Sequence, residues 1–150
     1  MGYLTHMMVA PEARARSFAD QGTRASSSGQ VVDLTGVDDF QLAKLWCILR
    51  QDDSDYALHA SIEALAKDYW EGADALEGAS VVALPGDLVE VLRLINEDDV
   101  PSISAAWLRC YAELLIPVSQ EEVANYLRVL QSLAQEAAQK HERVLMRMGE

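Results

Sequence analysis

Apolar residues recur along most of this chain at the period of an amphipathic helix. Leu42, Leu45, Trp46 and Leu49 are spaced by three or four residues, so they form one stripe of a predicted helix that starts near Asp38. Similar stripes predict four further helices, at about 54–71, 85–95, 103–114 and 119–140. The second of these is expected to place Leu58, Ile62, Leu65 and Tyr69 on one face and to end before Gly72.

Polar residues at helix starts support this division of the chain. Asp38 and Gln41 have the spacing of a capping box, and so have Ser119 and Glu122. The second helix should start near Ser54 or Asp55, and we expect at least one aspartate of the neighbouring cluster to cap it.

Short apolar segments predict extended structure instead. Residues 3–10 predict a strand, and residues 80–84 predict a short buried strand or an extended segment. Residues 143–148 alternate weakly between basic and apolar groups, a pattern that allows either a continuation of the last helix or a closing strand. A short helix is expected from about Pro11. Glycine- and serine-rich residues at about 22–30 predict a flexible loop, and residues 72–80 predict another. The predicted class is α+β, mainly α, in which amphipathic helices pack on a small sheet formed by the N-terminal and C-terminal strands.

Length and charge narrow the possible functions. The 150 residues correspond to one globular domain, 1–150, with a single core. The formal net charge is −12, and residues 31–99 alone carry sixteen acidic and four basic side chains. Such a field repels phosphates and anionic membranes and attracts cationic partners. We therefore predict that the protein binds neither nucleic acid nor membranes.

The apolar segments and the cysteines of the sequence predict the cellular compartment. No apolar run approaches the ~18 residues of a membrane-spanning helix, and the first residues lack the basic and apolar regions of a secretory signal. Cys47 and Cys110 lie far apart on apolar helical faces, which favours buried free thiols. These observations favour the cytoplasm.

No pattern of residues identifies a reaction. Read as a calcium loop from Asp53, the aspartate cluster has Ala57, Leu58 and Ala64 where a ligand, a glycine and a glutamate are required. The histidines have no zinc-site spacing, and nucleophile elbows and phosphate-binding loops are absent from the sequence. We predict no catalytic residue, no metal and no cofactor.

The order of the segments resembles the YfbM-like family of small bacterial α+β domains of unknown function. The resemblance is carried by MGYLTHMMVAPEARARSF, LTGVDDFQLAKLWCILR, VVALPGDLVEVLRLI and YLRVLQSLAQEAAQKHERVLMRM, which together cover most of the chain. This chain departs from the family at Cys47–Ile48, where a Leu-His pair is usual, and at Arg50–Gln51, where Thr-Gly is usual. The resemblance implies a fold rather than an activity, and it implies that residues 143–148 form a strand.

The leading functional hypothesis is a non-enzymatic acidic protein that binds a basic partner. Small acidic bacterial proteins without catalytic motifs often act as immunity proteins or antitoxins against basic toxins such as nucleases, and opposed charges accelerate such encounters. The expected partner-binding residues are two acidic clusters at helix ends, namely Asp52, Asp53, Asp55, Glu97, Asp98 and Asp99.

Two alternatives stay open at this point. The first is a small enzyme or ligand-binding domain whose pocket is built from sequence-distant residues, with His59, Glu63 and Tyr69 on one side and Arg109 or His6 on the other. The second is a subunit that oligomerises through an apolar helix face, although the oligomeric state itself does not follow from the sequence.

Overall fold

The strands predicted near the two ends of the chain pair along their full length. The computed structural model describes residues 4–21, 31–72 and 79–149. Within them the strands are β1 (Leu4–Ala10), β2 (Val32–Asp33), β3 (Tyr69–Glu71), β4 (Ser80–Ala83) and β5 (Arg143–Gly149). They form one antiparallel sheet in the order β2-β1-β5-β4-β3, with Leu4 opposite Gly149 at one end of the central pair.

Helices account for most of the remaining described residues. They are α1 (Ala15–Gln21), α2 (Asp39–Arg50), α3 (Asp55–Leu65), α4 (Gly86–Arg93), α5 (Val100–Glu113) and α6 (Gln120–Lys140). Two short 3-10 turns, Glu12–Arg14 and Glu97–Asp99, precede α1 and α5. The predicted α+β class, mainly α with a small sheet that includes both terminal strands, is confirmed. No helix in the described part of the chain is long and apolar enough to cross a membrane.

Both faces of the sheet are covered, which explains why its strands are apolar at successive positions. Met7 and Val9 belong to the main core, in which they are packed with side chains from α2, α4, α5 and α6. Met8 and Ala10 point to the opposite face because side chains alternate along a strand, and Phe18 of α1 packs there. The helix α3 packs against α2 at the periphery.

One predicted helix boundary is wrong. The helix α3 ends at Leu65, and Tyr69 lies in β3, opposite Val82 of β4. Its hydroxyl donates a hydrogen bond of 2.9 Å to Glu71 Oε1. The i, i+4 spacing from Leu65 to Tyr69 imitates a helical stripe, but pairing with β4 overrides that local pattern. The predicted loop at 22–30 and most of the loop at 72–80 lie outside the described residues.

An aromatic cluster joins α5 to the start of α2. Trp107 and Tyr111, which belong to the apolar stripe of the helix predicted at about 103–114, are fully buried. Trp107 Nε1 donates to the backbone oxygen of Gln41 at 3.0 Å, and Tyr111 Oη donates to that of Gly36 at 2.7 Å. Burial raises the pKa of Tyr111 far above its ordinary value, so this hydroxyl stays a donor. These bonds hold α5 alongside α2.

Three helices end at a residue other than glycine in the left-handed conformation. Gln51, Leu115 and His141 have φ angles of 56°, 58° and 54°. After α5 the Ile116 N–H donates to the Tyr111 oxygen at 3.0 Å, which is the long bond of a Schellman motif. Glycine usually occupies the left-handed position of this motif because it has no Cβ.

Candidate functional site

A cleft opens between the end of α2, the start of α3 and the second half of α5. Its volume is about 570 Å³, in the range of small-molecule sites. Thirteen residues line it: Lys44, Cys47, Ile48, Gln51, Asp52, Asp53, Ser54, Asp55, Leu58, Ala106, Arg109, Cys110 and Glu113. All three aspartates of the first predicted acidic cluster are therefore cleft residues, and all three are exposed.

The turn that carries these aspartates is ordered by its own hydrogen bonds. Asp52 Oδ1 accepts the Ser54 N–H at 3.1 Å, and bonding to Ser54 lowers the pKa of Asp52. Ser54 Oγ in turn accepts the Ala57 N–H at 3.1 Å and caps α3. The expectation that an aspartate caps this helix is wrong: the cap is Ser54, while Asp55 lies in the first turn. Asp53 and Asp55 thus keep their carboxylates free of the capping bond.

A second groove of about 370 Å³ adjoins the first cleft. Ile48 and Gln51 line both, and Asp99 and Leu94 line the second. The structure therefore brings the two acidic clusters, which are far apart in the sequence, to neighbouring depressions. We call the cleft and the groove, with Asp52, Asp53, Asp55, Glu113 and Asp99 as their acidic residues and Ile48 and Gln51 between them, the two-cleft face.

The other two residues of the second cluster lie beside the groove. Glu97 and Asp98 are exposed in the 3-10 turn, as predicted. Glu97 Oε1 pairs with Arg128 of α6 at 3.1 Å, and the Asn96 side chain accepts the Asp98 N–H at 3.1 Å. Part of the charge of Glu97 is therefore compensated within the chain. Asp99, which lines the groove, is the residue of this cluster that is best placed to meet a cationic partner.

Two basic residues and two thiols also line the first cleft. Arg109 has no hydrogen bond or ion pair within the described residues, and the Lys44 ammonium lies 5.6 Å from the centre of the Phe40 ring. Cys47 and Cys110 are both free, as predicted, but only Cys47 is buried, whereas Cys110 is partly exposed. The sequence did not indicate that the two thiols share a cleft. Desolvation by burial raises the pKa of Cys110, so its thiol is less readily ionised than an exposed one.

The residues of the alternative pocket are not brought together at Arg109. His59 and Glu63 are exposed on α3, Tyr69 lies in β3, and His6 lies in β1; the cleft that contains Arg109 is lined by none of them. In the described part of the chain no three His, Cys, Asp or Glu side chains are grouped so that they could hold a metal ion.

Nothing in the sequence indicates the residues that connect the two acidic clusters. Ile48 belongs to no predicted site, and Gln51 carries no charge or motif that would single it out. The left-handed turn at Gln51 ends α2 and exposes that side chain, but non-glycine residues in this conformation leave no reliable sequence signal.

Comparisons with known proteins give no relative: no family model, no curated protein and no solved structure matches the chain. The resemblance to the YfbM-like family stays a prediction from the sequence.

Proposed function

We propose that this protein is a non-enzymatic binding protein that recognises a basic partner protein through the two-cleft face. The observation that carries the proposal is that both predicted acidic clusters border depressions that share Ile48 and Gln51. A cation that approaches this face meets carboxylates from the α2–α3 turn and from the start of α5. Four acidic and two basic side chains line the first cleft, so its net charge is negative. A net negative potential over a concave surface raises the association rate of basic partners and disfavours acidic ones.

The face also offers apolar contact between the charges. Ile48 and Leu58 line the first cleft, and Ile48 and Leu94 line the groove, where Leu94 is 62% exposed. Stable interfaces combine an apolar centre with a polar rim, and this arrangement has both. The class of partner that fits is a basic protein, and an immunity or antitoxin role against a basic toxin such as a nuclease is the form of this function that we propose for a bacterial cytoplasm.

A ligand-binding role is the second candidate, and one observation favours it. Arg109 and Lys44 line a cleft of small-molecule size, and Arg109 is free of ion pairs within the described chain. A small anion or a zwitterion would be held by these two cations. Arg109→Ala would abolish such binding, whereas it would leave recognition of a basic protein intact or strengthen it.

The test compares two variants that lose the same number of charges. The face variant carries Asp52→Asn, Asp53→Asn and Asp99→Asn. The control variant carries Asp39→Asn, Asp87→Asn and Glu121→Gln, which neutralises exposed acids in the first turns of α2, α4 and α6, outside both depressions. Bound proteins are captured from a bacterial lysate on each immobilised protein at low and at high salt and quantified by mass spectrometry.

The proposal predicts basic proteins that bind wild type and the control variant, leave at high salt, and are lost from the face variant. For an isolated partner, the association rate at low salt should fall about tenfold in the face variant only. Equal loss in both variants would mean that net charge alone attracts the partner, and capture that is unaffected by the face variant would contradict the proposal.

A further inference from the structure

A turn of three exposed apolar residues follows directly on the first cleft. Leu114, Leu115 and Ile116 are 48%, 90% and 38% exposed. They follow Glu113, the last residue of α5, which lines the cleft. The Cα atom of Leu115 is two residues from that of Glu113 and so lies within about 7 Å of it. Consecutive large apolar side chains at the surface are uncommon unless they meet a partner.

A leucine at position 115 does not stabilise the fold, because its backbone conformation is unfavourable for a residue with a Cβ. Leu115 occupies the left-handed position of a Schellman motif, where a Cβ is unfavourable. With 90% of the residue exposed, the leucine contributes almost nothing to the core that would offset this cost. Gln51 and His141 hold the same conformation with polar side chains, and histidine tolerates it better than a bulky aliphatic residue.

We infer that the turn Leu114–Ile116 extends the apolar part of the partner-binding surface beyond the two-cleft face and that Leu115 inserts into an apolar contact on the partner. This inference rests on the proposed function. The partner segment is basic and amphipathic: its cations meet Asp52, Asp53 and Asp55, and its large apolar side chains meet Leu115. A second copy of this chain fits less well, since each copy carries a net charge of −12 and would repel the other.

The test uses synthetic peptides, which separate charge from apolar contact. One fluorescein-labelled peptide of about eighteen lysine and leucine residues has its leucines at helical period, and a second has the same composition in scrambled order. Affinities for the full chain are measured by fluorescence anisotropy at low and high salt. The variants are Leu115→Gly and, as a control that removes the same backbone conflict elsewhere, His141→Gly. Melting temperatures of both are recorded.

The amphipathic peptide should bind about tenfold more tightly than the scrambled one, and Leu115→Gly should remove that difference. His141→Gly should leave both affinities unchanged. Both variants should melt no lower than wild type, so that lost binding cannot be attributed to unfolding.

Three results would overturn the inference. The first is equal binding of the two peptides to wild type, and the second is an amphipathic advantage that survives Leu115→Gly. The third is a wild-type dimer in sedimentation that Leu115→Gly converts to a monomer, which would assign the turn to a second copy. After any of these results the proposed function would still stand if basic proteins bind the control variant but no longer bind the face variant. Binding of both peptides to the face variant as tightly as to wild type would instead contradict the proposed function itself.

Discussion

Replacing Gly36 by alanine tests the contact between the loop before α2 and the aromatic cluster. Gly36 has a φ of 113°, a conformation that side chains rarely adopt. A Cβ built at this position lies 2.6 Å from Tyr126 Oη and 3.2 Å from Cζ of the same ring. Both the backbone and the neighbouring side chain therefore oppose any residue larger than glycine.

The loss of stability expected for Gly36→Ala is the sum of the backbone conflict and the displacement of the Tyr126 ring. A residue forced into such a φ region costs about 1–3 kcal/mol. Displacing the Tyr126 ring also weakens its contacts with Trp107 and Tyr111, whose centroids are 6.3 and 6.4 Å away, and such pairs are worth about 0.5–1.5 kcal/mol each. We expect Gly36→Ala to lower the free energy of unfolding by about 2–4 kcal/mol, which for a chain of this size lowers the melting temperature by roughly 6–12 °C.

The assay is thermal unfolding followed by circular dichroism, with urea unfolding for the free energy. Gly86→Ala is the matched control: Gly86 starts α4, and an added Cβ there meets nothing within 4 Å. Alanine suits a helix better than glycine, so this variant should lose no stability. In a Tyr126→Phe background, which lacks Oη, Gly36→Ala should cost about 1 kcal/mol less, because the closest contact of the added Cβ is removed while the backbone conflict and the contact with Cζ remain. Equal melting temperatures for Gly36→Ala and Gly86→Ala would refute the reasoning.

Two further predictions concern polar groups. Gln41 is 1% exposed, and neither its Nε2 nor its Oε1 has a hydrogen-bond partner within the described chain. Methionine is similar in volume and has no amide to leave unsatisfied, so Gln41→Met should raise the free energy of unfolding by about 1–3 kcal/mol. Urea titration measures this change, and a less stable variant would contradict the prediction. Hydrogen bonds from Thr35 Oγ1 (2.6 Å) and N–H (2.8 Å) lower the pKa of Asp33. Because the folded pKa is depressed, this carboxylate stabilises the fold above the ordinary aspartate pKa, and the contribution is lost as pH falls through the folded value. Thr35→Val should raise the pKa of Asp33 in an NMR titration, and an unchanged value would exclude the hydroxyl as the cause.

Helix starts were predictable from the sequence because their signals are local. The side chains of Asp38 and Ser119 accept the N–H groups of Gln41 and Glu122, as the capping-box spacing indicated. The return bond of the first box does not form, since the Gln41 side chain is buried instead. Whether a residue at that position turns back to its own cap or into the core depends on the packing of α5 against α2, which the local spacing does not contain.

Strands were predictable only where they are long or wholly apolar. The composition of β1 and of the buried β4 indicated extended segments, whereas the pattern of β5 allowed a helix or a strand and only the family resemblance implied a strand. The strand β2 has two residues, too few to show an alternation of apolar and polar positions. The residues of β3 lie in the helix predicted at about 54–71. Both of these edge strands exist because a neighbouring strand offers free N–H and C=O groups, which is a property of the assembled sheet.

The sequence by itself determined where most of the helices lie and that the acidic side chains of the two clusters are exposed, because both depend mainly on neighbours within a few positions. Residues 69–71 are the exception, since pairing with β4 makes them a strand. Only the tertiary structure decided that Asp52, Asp53, Asp55 and Asp99 border depressions that share Ile48 and Gln51. It also decided that Glu113, which precedes the turn Leu114–Ile116, lines the first cleft. A periodic pattern separates inward from outward positions on one helix. Which outward positions of different helices become neighbours is set by the packing of α2, α3 and α5, and the two-cleft face arises at that level.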